Sequence, residues 1–445
     1  MAKLKTQTAF ACESCGTAYS KWQGQCESCG SWNTVVSRQE KIEKLGNSRL
    51  LRLSEVEVSD DYHRQSTGLD FLDRILGGGL PRGATILLAG QPGTGKSTLL
   101  FQLFGTSKQK CLYVSAEESA QQVASRFRKQ TKNPASDFFL HTENQLSEIL
   151  RTIDKLKPDL VAIDSIQMIV GESLDRMKGG SASIREVSEA LVAKAKAMNF
   201  TLWIVGHVTK DGEIAGPKTL EHLVDSVILF SEGEESQVRI LQTQKHRFGI
   251  SGELAILEMS SQGLSERPGA ESYWMQDHAV DLPGCAFGAA LFGSRVYCVE
   301  IQALCSDTHF PSPRRSANGF DINRLYLLLA VLEKRLKFAF SHQDVYLNVV
   351  GGLKLTDPAV DLAVAAALVS AQTEKPTDRR SVFVGELGLT GEIRMVPSLA
   401  QRLRACEQVG RARFICPVSK KLEAPDSVEL LQYRELKEAL KDLLP

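Results

Sequence analysis

No run in this 445-residue sequence approaches the eighteen or so uninterrupted apolar residues that a membrane span requires. The opening stretch, MAKLKTQTAF, has no apolar core of the signal-peptide kind, so a cytoplasmic protein with no membrane partner is expected. Neither sign of charge is in excess: Lys plus Arg and Asp plus Glu each total 53. Attraction to nucleic acid would therefore have to come from local placement of charge. Histidine is scarce, and none precedes His63, so the N-terminal cysteines have no imidazole beside them. What is present is a soluble globular composition, 43% apolar and 24% charged, on a chain too long for one ordinary core. Two or three domains are expected.

Four of the ten cysteines fall within residues 12 to 29, as Cys12-Glu-Ser-Cys15 and Cys26-Glu-Ser-Cys29. Each pair supplies two thiolates from one tight turn, and together they complete a tetrahedral Zn²⁺ site with no open position. Such a zinc is structural, and residues 1–34 are too few to fold without it. Lys21, Trp22 and Trp32 could meet nucleic acid or dock on a neighbouring domain. The scattered cysteines, from Cys111 to Cys416, are expected to be small buried apolar residues. Residues 35–60 are polar, mixed in charge and read as a linker.

From Thr85 onward short apolar runs alternate with helical periods, the signature of a parallel sheet. The first run, TILLA, leads into Gly90-Gln91-Pro92-Gly93-Thr94-Gly95-Lys96-Ser97-Thr98. This is a phosphate-binding loop with a strand before it and a helix after it. Its glycines let backbone N–H groups wrap phosphates, Lys96 is placed for the β- and γ-phosphates, and the Ser97 hydroxyl for Mg²⁺. ATP with Mg²⁺ is the expected substrate pair. LVAID ends in Asp164, suited to hold Mg²⁺, although a strand-end cap is the plainer reading. CLYVSA ends in Glu117-Glu118, and Glu117 is preferred as the base that polarises the attacking water. TLWIVGHV ends near His207, a γ-phosphate sensor or a packed strand-end histidine. Three antiparallel-looking strands follow, SVILF, QVRILQTQ and ELAILEM. The second runs into Lys245-His246-Arg247-Phe248-Gly249. These cations could be a solvated hairpin end, or could reach a neighbouring subunit's ATP as an arginine finger does.

The order of these parts resembles the RadA (Sms) family of bacterial DNA-repair and recombination ATPases. The stretches that carry the resemblance are the Cys₄ module, STGLDFLDRILGGGLPRG, GQPGTGKS, YVSAEES, LVAIDSIQ and HVTKDGEIAGPKTLEHLVD, covering nearly the whole chain. The family's signature pentapeptide is Lys-Asn-Arg-Phe-Gly, from which the present sequence departs only at His246. The resemblance implies DNA-dependent motor activity linked to that pentapeptide, a homohexameric ring, single-stranded and branched DNA as partners, and the RecA recombinase as a further one. In RecA-like rings two loops line the channel. The matching segments are 171–187, with Arg176 and Lys178, and 210–222, with Lys210 and Lys218; solvated loops are the alternative reading.

Residues 266–284 read as a connector, and 285–445 resemble the proteolytic domain of Lon. In Lon a Ser–Lys dyad cuts peptides. The matching positions here are Ala359, within Asp357-Pro358-Ala359-Val360-Asp361, and Ala400, and neither methyl group can attack a carbonyl or accept a proton. A non-proteolytic domain is expected, with Arg314 and Arg315 suited to a DNA-contacting edge or a subunit contact. The expected fold is thus α/β: a RecA-like P-loop ATPase core over 61–265, an N-terminal Cys₄ zinc module and a C-terminal α+β Lon-like domain. ATP-driven branch migration is the expected function. The rivals are a Lon-related protein remodeller and a RecA-like regulatory kinase.

Overall fold

The computed structural model describes residues 9–12, 17–19, 21–38, 64–130, 137–171, 180–207, 219–233, 235–275, 282–309 and 312–443. The chain divides into two units, 1–59 and 60–445.

The first unit holds a three-stranded antiparallel sheet in the order β2-β1-β3, from β1 (Ala9–Cys12), β2 (Ala18–Tyr19) and β3 (Val35–Arg38). Backbone hydrogen bonds fix two of its described cysteines. The Cys12 N–H donates to the Thr17 carbonyl at 3.0 Å, and the Cys26 N–H to the Ser31 carbonyl at 2.9 Å. Gly30 sits at φ 72°, a conformation that costs glycine least.

The second unit opens with a nine-stranded sheet. Its parallel strands are β4 (Thr85–Gly90), β5 (Cys111–Ser115), β6 (Phe138–His141), β7 (Leu160–Asp164) and β8 (Thr201–His207). They are extended by β9 (Ser226–Glu232), β10 (Val238–His246), β11 (Leu254–Ser260) and β12 (Gly263–Glu266). The spatial order is β12-β11-β10-β9-β4-β8-β7-β5-β6. The continuous apolar runs follow from burial on both faces. In β4, Ile86 and Leu88 pack into one core and Leu87 and Ala89 into the other. β9 differs from the antiparallel reading: it is parallel to β4 and antiparallel only to β10, so it marks the seam between the two halves of the sheet. α1 (Asp70–Ile75), α2 (Lys96–Thr106) and α3 (Ala120–Gln130) pack into one of these cores, and α4 (Leu146–Leu156), α5 (Ser181–Met198) and α6 (Thr219–Leu223) into the other.

The C-terminal part is α+β. A mixed seven-stranded sheet runs in the order β15-β16-β14-β13-β17-β20-β21. Its strands are β13 (Cys285–Phe292), β14 (Arg295–Asp307), β15 (Arg315–Asn318), β16 (Gln343–Val349), β17 (Ser381–Phe383), β20 (Arg413–Pro417) and β21 (Glu429–Tyr433), and the short hairpin β18 (Glu386–Leu387) and β19 (Ile393–Arg394) stands apart from it. The helices α7 (Ile322–Leu336), α8 (Asp361–Thr373), α9 (Leu399–Gln408) and α10 (Leu436–Ala439) complete it. α8 is buried on every side from Asp361 to Ser370, which is why its sequence is apolar all round rather than in a stripe.

One hydrophobic core joins the two parts of this unit. Val238, Ile240, Leu254 and Ile256 of the antiparallel strands share it with Trp274, Ala286, Tyr297 and Leu325. The Tyr297 hydroxyl donates to the Leu254 carbonyl at 2.8 Å, and Arg74 and Arg295 both pair with Glu266. The described part of the segment read as a connector is therefore structured, with Trp274 1% exposed.

A candidate nucleotide site and its surroundings

β4 ends at Gly90, and the loop returns to start α2 at Lys96. Gly93 and Gly95 take φ values of 84° and 104°, the left-handed region that a side chain would strain. A Cβ on Gly90 would lie 2.3 Å from the Phe230 carbonyl oxygen, so glycine is also required there by space. The Lys96 ammonium donates to the carbonyls of Gly90 at 2.9 Å and Gln91 at 2.7 Å, closing the loop on itself. Burial pushes its pKa down, and the carboxylates of Asp164 and Glu117 oppose that.

The Ser97 hydroxyl donates to Asp164 Oδ2 at 2.7 Å, so the two residues expected to share Mg²⁺ are in direct contact. The same carboxylate oxygen accepts a hydrogen bond from the Tyr113 hydroxyl, whose pKa is raised, mainly by burial and then by the Asp164 charge. Glu117 accepts a hydrogen bond from the Ser165 hydroxyl and lies 3.7 Å from His207 Nε2. Glu118 pairs instead with Arg126 at 2.5 Å. Lys96, Ser97, Glu117, Glu118, Arg126, Asp164, His207 and Met259 all line one cleft of about 300 Å³ together with the loop. Thr98 lines it too, and accepts a hydrogen bond from the Gln130 amide at 3.2 Å. Hydroxyl, two carboxylates and an ammonium at a helix N-terminus fit a polyphosphate with a hard divalent cation. Sequence reading missed Tyr113 and Ser165, which bond the carboxylates of Asp164 and Glu117, and Arg126 and Met259, which line the cleft. The first two lie on or directly after strands that lead to the cleft and were legible in principle, whereas the last two arrive only through tertiary packing.

Comparison with known proteins bears on what this cleft serves. Residues 48–213 match an AAA domain, residues 10–37 a rubredoxin metal-binding domain, and residues 328–420 the family of the Mg-chelatase subunit ChlI. The chain is 38% identical over 458 residues to DNA repair protein RadA of Listeria monocytogenes, with 100% of both chains covered. The chain belongs to the RadA family. DNA repair protein RadA of Aquifex aeolicus is 40% identical, with 99% of each chain covered. A solved KaiC-like protein of Pyrococcus horikoshii is 21% identical and covers 46% of this chain and 100% of its own, with a TM-score of 0.40.

The pentapeptide of the RadA family sits where β10 ends, and its side chains have separate surroundings. Lys245 turns inward: its ammonium donates to the carbonyls of Glu221 at 2.5 Å and Val224 at 2.8 Å, and burial pushes its pKa down. Two of the three donors of its ammonium are thus taken by carbonyls at the end of α6. Arg247 is half-exposed, 51% at its side chain, and stands 3.4 Å from Asp225 Oδ1. Asp225 in turn accepts from the Thr85 N–H and hydroxyl at 3.0 and 2.7 Å, at the foot of the strand that leads to the phosphate loop. His246 is buried beside two glycines. A Cβ on Gly249 would fall 2.6 Å from its ring, and one on Gly77 would fall 3.4 Å from it. Its Nδ1 is 2.7 Å from the Ser226 hydroxyl, and Arg64 spans the carbonyls of Leu76 and Phe248 alongside. The imidazole that replaces the family's asparagine is thus accommodated by missing side chains on two sides.

Burial first, and the Arg64 charge after it, hold the His246 pKa below the ordinary histidine value. The unfolded chain then binds more protons than the folded one below about pH 6.5, so the stability this site contributes falls as pH drops through that value. His246→Asn is expected to lose less melting temperature between pH 7.5 and pH 5.5 than the native chain does. Equal losses in a calorimetric comparison would refute this.

The metal module fits its expected ion. The ligand atoms of Cys12, Cys26 and Cys29 lie within 4.8 Å of one another, while Cys15 falls outside the described residues. Cys12 Sγ and Cys29 Sγ are 3.7 Å apart. Trp22 and Trp32 are 60% and 70% exposed on this unit. Cys26→Ala is expected to abolish stoichiometric zinc and melt the N-terminal unit, with the remainder still folded; zinc-free native protein on metal analysis would contradict it.

The expected DNA contacts Arg176, Lys178, Lys210 and Lys218 fall outside the described residues. Of the remaining pair, Arg315 directs its guanidinium to the carbonyls of Gln343 and Phe340, and the Arg314 N–H donates to Asp344 Oδ1 at 2.7 Å. Arg315 therefore braces the β15–β16 edge. At the Lon-matching position Ala359 is fully buried, its N–H bonded to Asp357 Oδ1 at 3.0 Å. The other Asp357 oxygen accepts from Arg402, a fully buried guanidinium, at 2.6 Å.

Proposed function

We propose that this chain is a DNA-dependent ATPase that hydrolyses ATP with Mg²⁺ and uses the cycle to move on single-stranded or branched DNA, promoting branch migration in recombination repair. The observation that carries the enzymatic part is the convergence of Lys96, Ser97, Glu117 and Asp164 on one cleft beside the phosphate loop. Membership of the RadA family supports the DNA part. In this reading Ser97 and Asp164 would hold Mg²⁺, which supplies charge neutralisation of the phosphates when bound. Lys96 exchanges its loop carbonyls for phosphate oxygens. Glu117, oriented by Ser165, takes the proton of the attacking water, while Glu118 is engaged by Arg126. A homohexameric ring, with Arg247 at the neighbouring nucleotide and Lys245 bracing the turn after α6, is the assembly proposed. The RecA recombinase is the proposed partner.

The domain reading is a zinc module, an ATPase core and a non-proteolytic C-terminal domain. It is supported by the buried methyl of Ala359, whose N–H is bonded to the same Asp357 carboxylate that pairs with the buried Arg402. Single-stranded DNA is expected to raise ATP turnover severalfold, and unfolded protein is not. Stimulation by unfolded protein alone would favour a remodeller, and labelled phosphate appearing on protein would favour a kinase.

A further inference from the structure

Arg239 lies on β10 between the two halves of the molecule and is 7% exposed. Its neighbours on the strand, Val238 and Ile240, point the other way, into the core shared with Trp274 and Tyr297. The strand is thereby fixed from one side, and the guanidinium projects from the other onto the phosphate loop. Its Nε donates to the Thr94 carbonyl at 2.9 Å. Nη1 donates to the carbonyls of Ser236 at 2.7 Å and Val238 at 2.9 Å, and the nearest carboxylate, Glu232, is 3.6 Å away and itself 56% exposed. Thr94 lies between Gly93 and Gly95, the two left-handed residues of the loop.

A loop of this kind binds anions only when its N–H groups point inward, which requires its carbonyls to be held outward. Within the apex Thr94 is 1% exposed and its hydroxyl donates to the Gln91 carbonyl at 3.0 Å. The Thr94 carbonyl is left to a partner from outside the loop, and Arg239 is that partner. A guanidinium is suited to this because its planar fork spans several carbonyls from a fixed position. It also leaves a buried positive charge behind the anion site, only loosely balanced by an exposed acid.

We propose that Arg239 is a positioning residue of the phosphate loop, holding the Thr94 carbonyl outward so that the loop is formed before a nucleoside di- or triphosphate arrives. This rests on the ATPase reading above. A purely structural arginine would change folding stability and leave the affinity of the folded protein alone. A positioning one changes affinity in protein that is folded.

The test is a titration of the full-length, zinc-loaded chain with fluorescent ATP and ADP analogues, at a temperature where circular dichroism shows each variant folded. Arg239→Met is expected to weaken both nucleotides about tenfold, the scale of one charge-assisted hydrogen bond. KM should rise in step, while kcat changes by less than about threefold, because the interaction acts equally on bound substrate and transition state. Arg239→Lys keeps the charge and a donor, and is expected to recover most of the affinity. Native affinity in folded Arg239→Met, or a lysine variant no better than methionine, would overturn the inference. Should Arg239→Met not fold, Glu232→Gln decides. Removing the counter-charge is expected to tighten both nucleotides about twofold at low salt, with the gain lost at high salt. Unchanged or weaker binding overturns the inference. Failure of the native chain to bind either nucleotide would instead overturn the ATPase reading itself, and with it this inference.

Discussion

Lys96→Ala is expected to reduce ATP turnover by about 10²-fold or more, the scale of losing one preorganised electrostatic group. The ammonium has no substitute of equal reach: of the other cations at the cleft, Arg126 is engaged by Glu118 and stacks over the Phe101 ring. Removing it also frees the carbonyls of Gly90 and Gln91, two acceptors at the mouth of the loop. The Gln91 carbonyl can take water, since Gln91 is exposed, which leaves the buried Gly90 carbonyl as the one acceptor lost at a cost, so the variant should fold. The core beneath the loop, with Leu99, Leu100 and Phe101 fully buried, does not involve the lysine. The comparison that checks this is turnover of purified native and variant protein with DNA present, alongside their thermal melts. Unchanged turnover in a well-folded variant would remove the phosphate loop from the mechanism.

Arg247→Ala is expected to retain ATP binding and lose DNA-stimulated hydrolysis by about 10³-fold, the contribution an arginine finger makes in trans. Among the described residues the Arg247 side chain has one ion pair, 3.4 Å from Asp225, and it is half-exposed, at the end of a strand that leads away from the cleft of its own subunit. Its backbone is nonetheless firmly set, the Arg247 N–H donating to the Asp225 carbonyl at 3.0 Å. A half-exposed cation on a fixed backbone suits reach across an interface. Lysine should not rescue, because it lacks the planar fork that meets two phosphate oxygens. Mixing Arg247→Ala with Lys96→Ala subunits sharpens the test. Some interfaces in the mixture would join an intact loop to an intact finger, so activity should exceed that of either variant. A mixture no more active than its components, from native protein that stays monomeric with ATP and DNA, would return Arg247 to a solvated hairpin end. The same experiment on Lys245→Ala is expected to act mainly through folding, since the carbonyls of Glu221 and Val224 would lose their donor.

The α/β core with its phosphate loop, the N-terminal metal ribbon and the α+β C-terminal part were legible because each rests on local periodicity or fixed spacing. TILLA and LVAID read as buried strands because both of their faces are covered. The phosphate loop is recognisable because its glycines, lysine and serine must be adjacent in the chain to wrap one anion. Paired cysteines two residues apart carry their geometry within a turn. Residues distant in sequence were not legible in this way. Arg126 and Met259 reach the cleft, and Arg239 the loop behind it, from three different elements, and no spacing encodes which face of a helix or strand will turn toward the loop.

By itself, then, the sequence determined the phosphate loop, the cysteine quartet and the identity of the strand-end acids, since contiguous residues meet whatever the rest of the chain does. Tertiary structure alone decided that Glu117 is left open to the cleft while Glu118 is taken by Arg126. It decided, too, that Lys245 turns inward while Arg247 stays half-exposed, and that Arg315 braces a sheet edge. In each case two like residues compete for partners held on other elements. A charged side chain goes wherever a carbonyl or carboxylate remains unpaired, and only the packed fold specifies where that is.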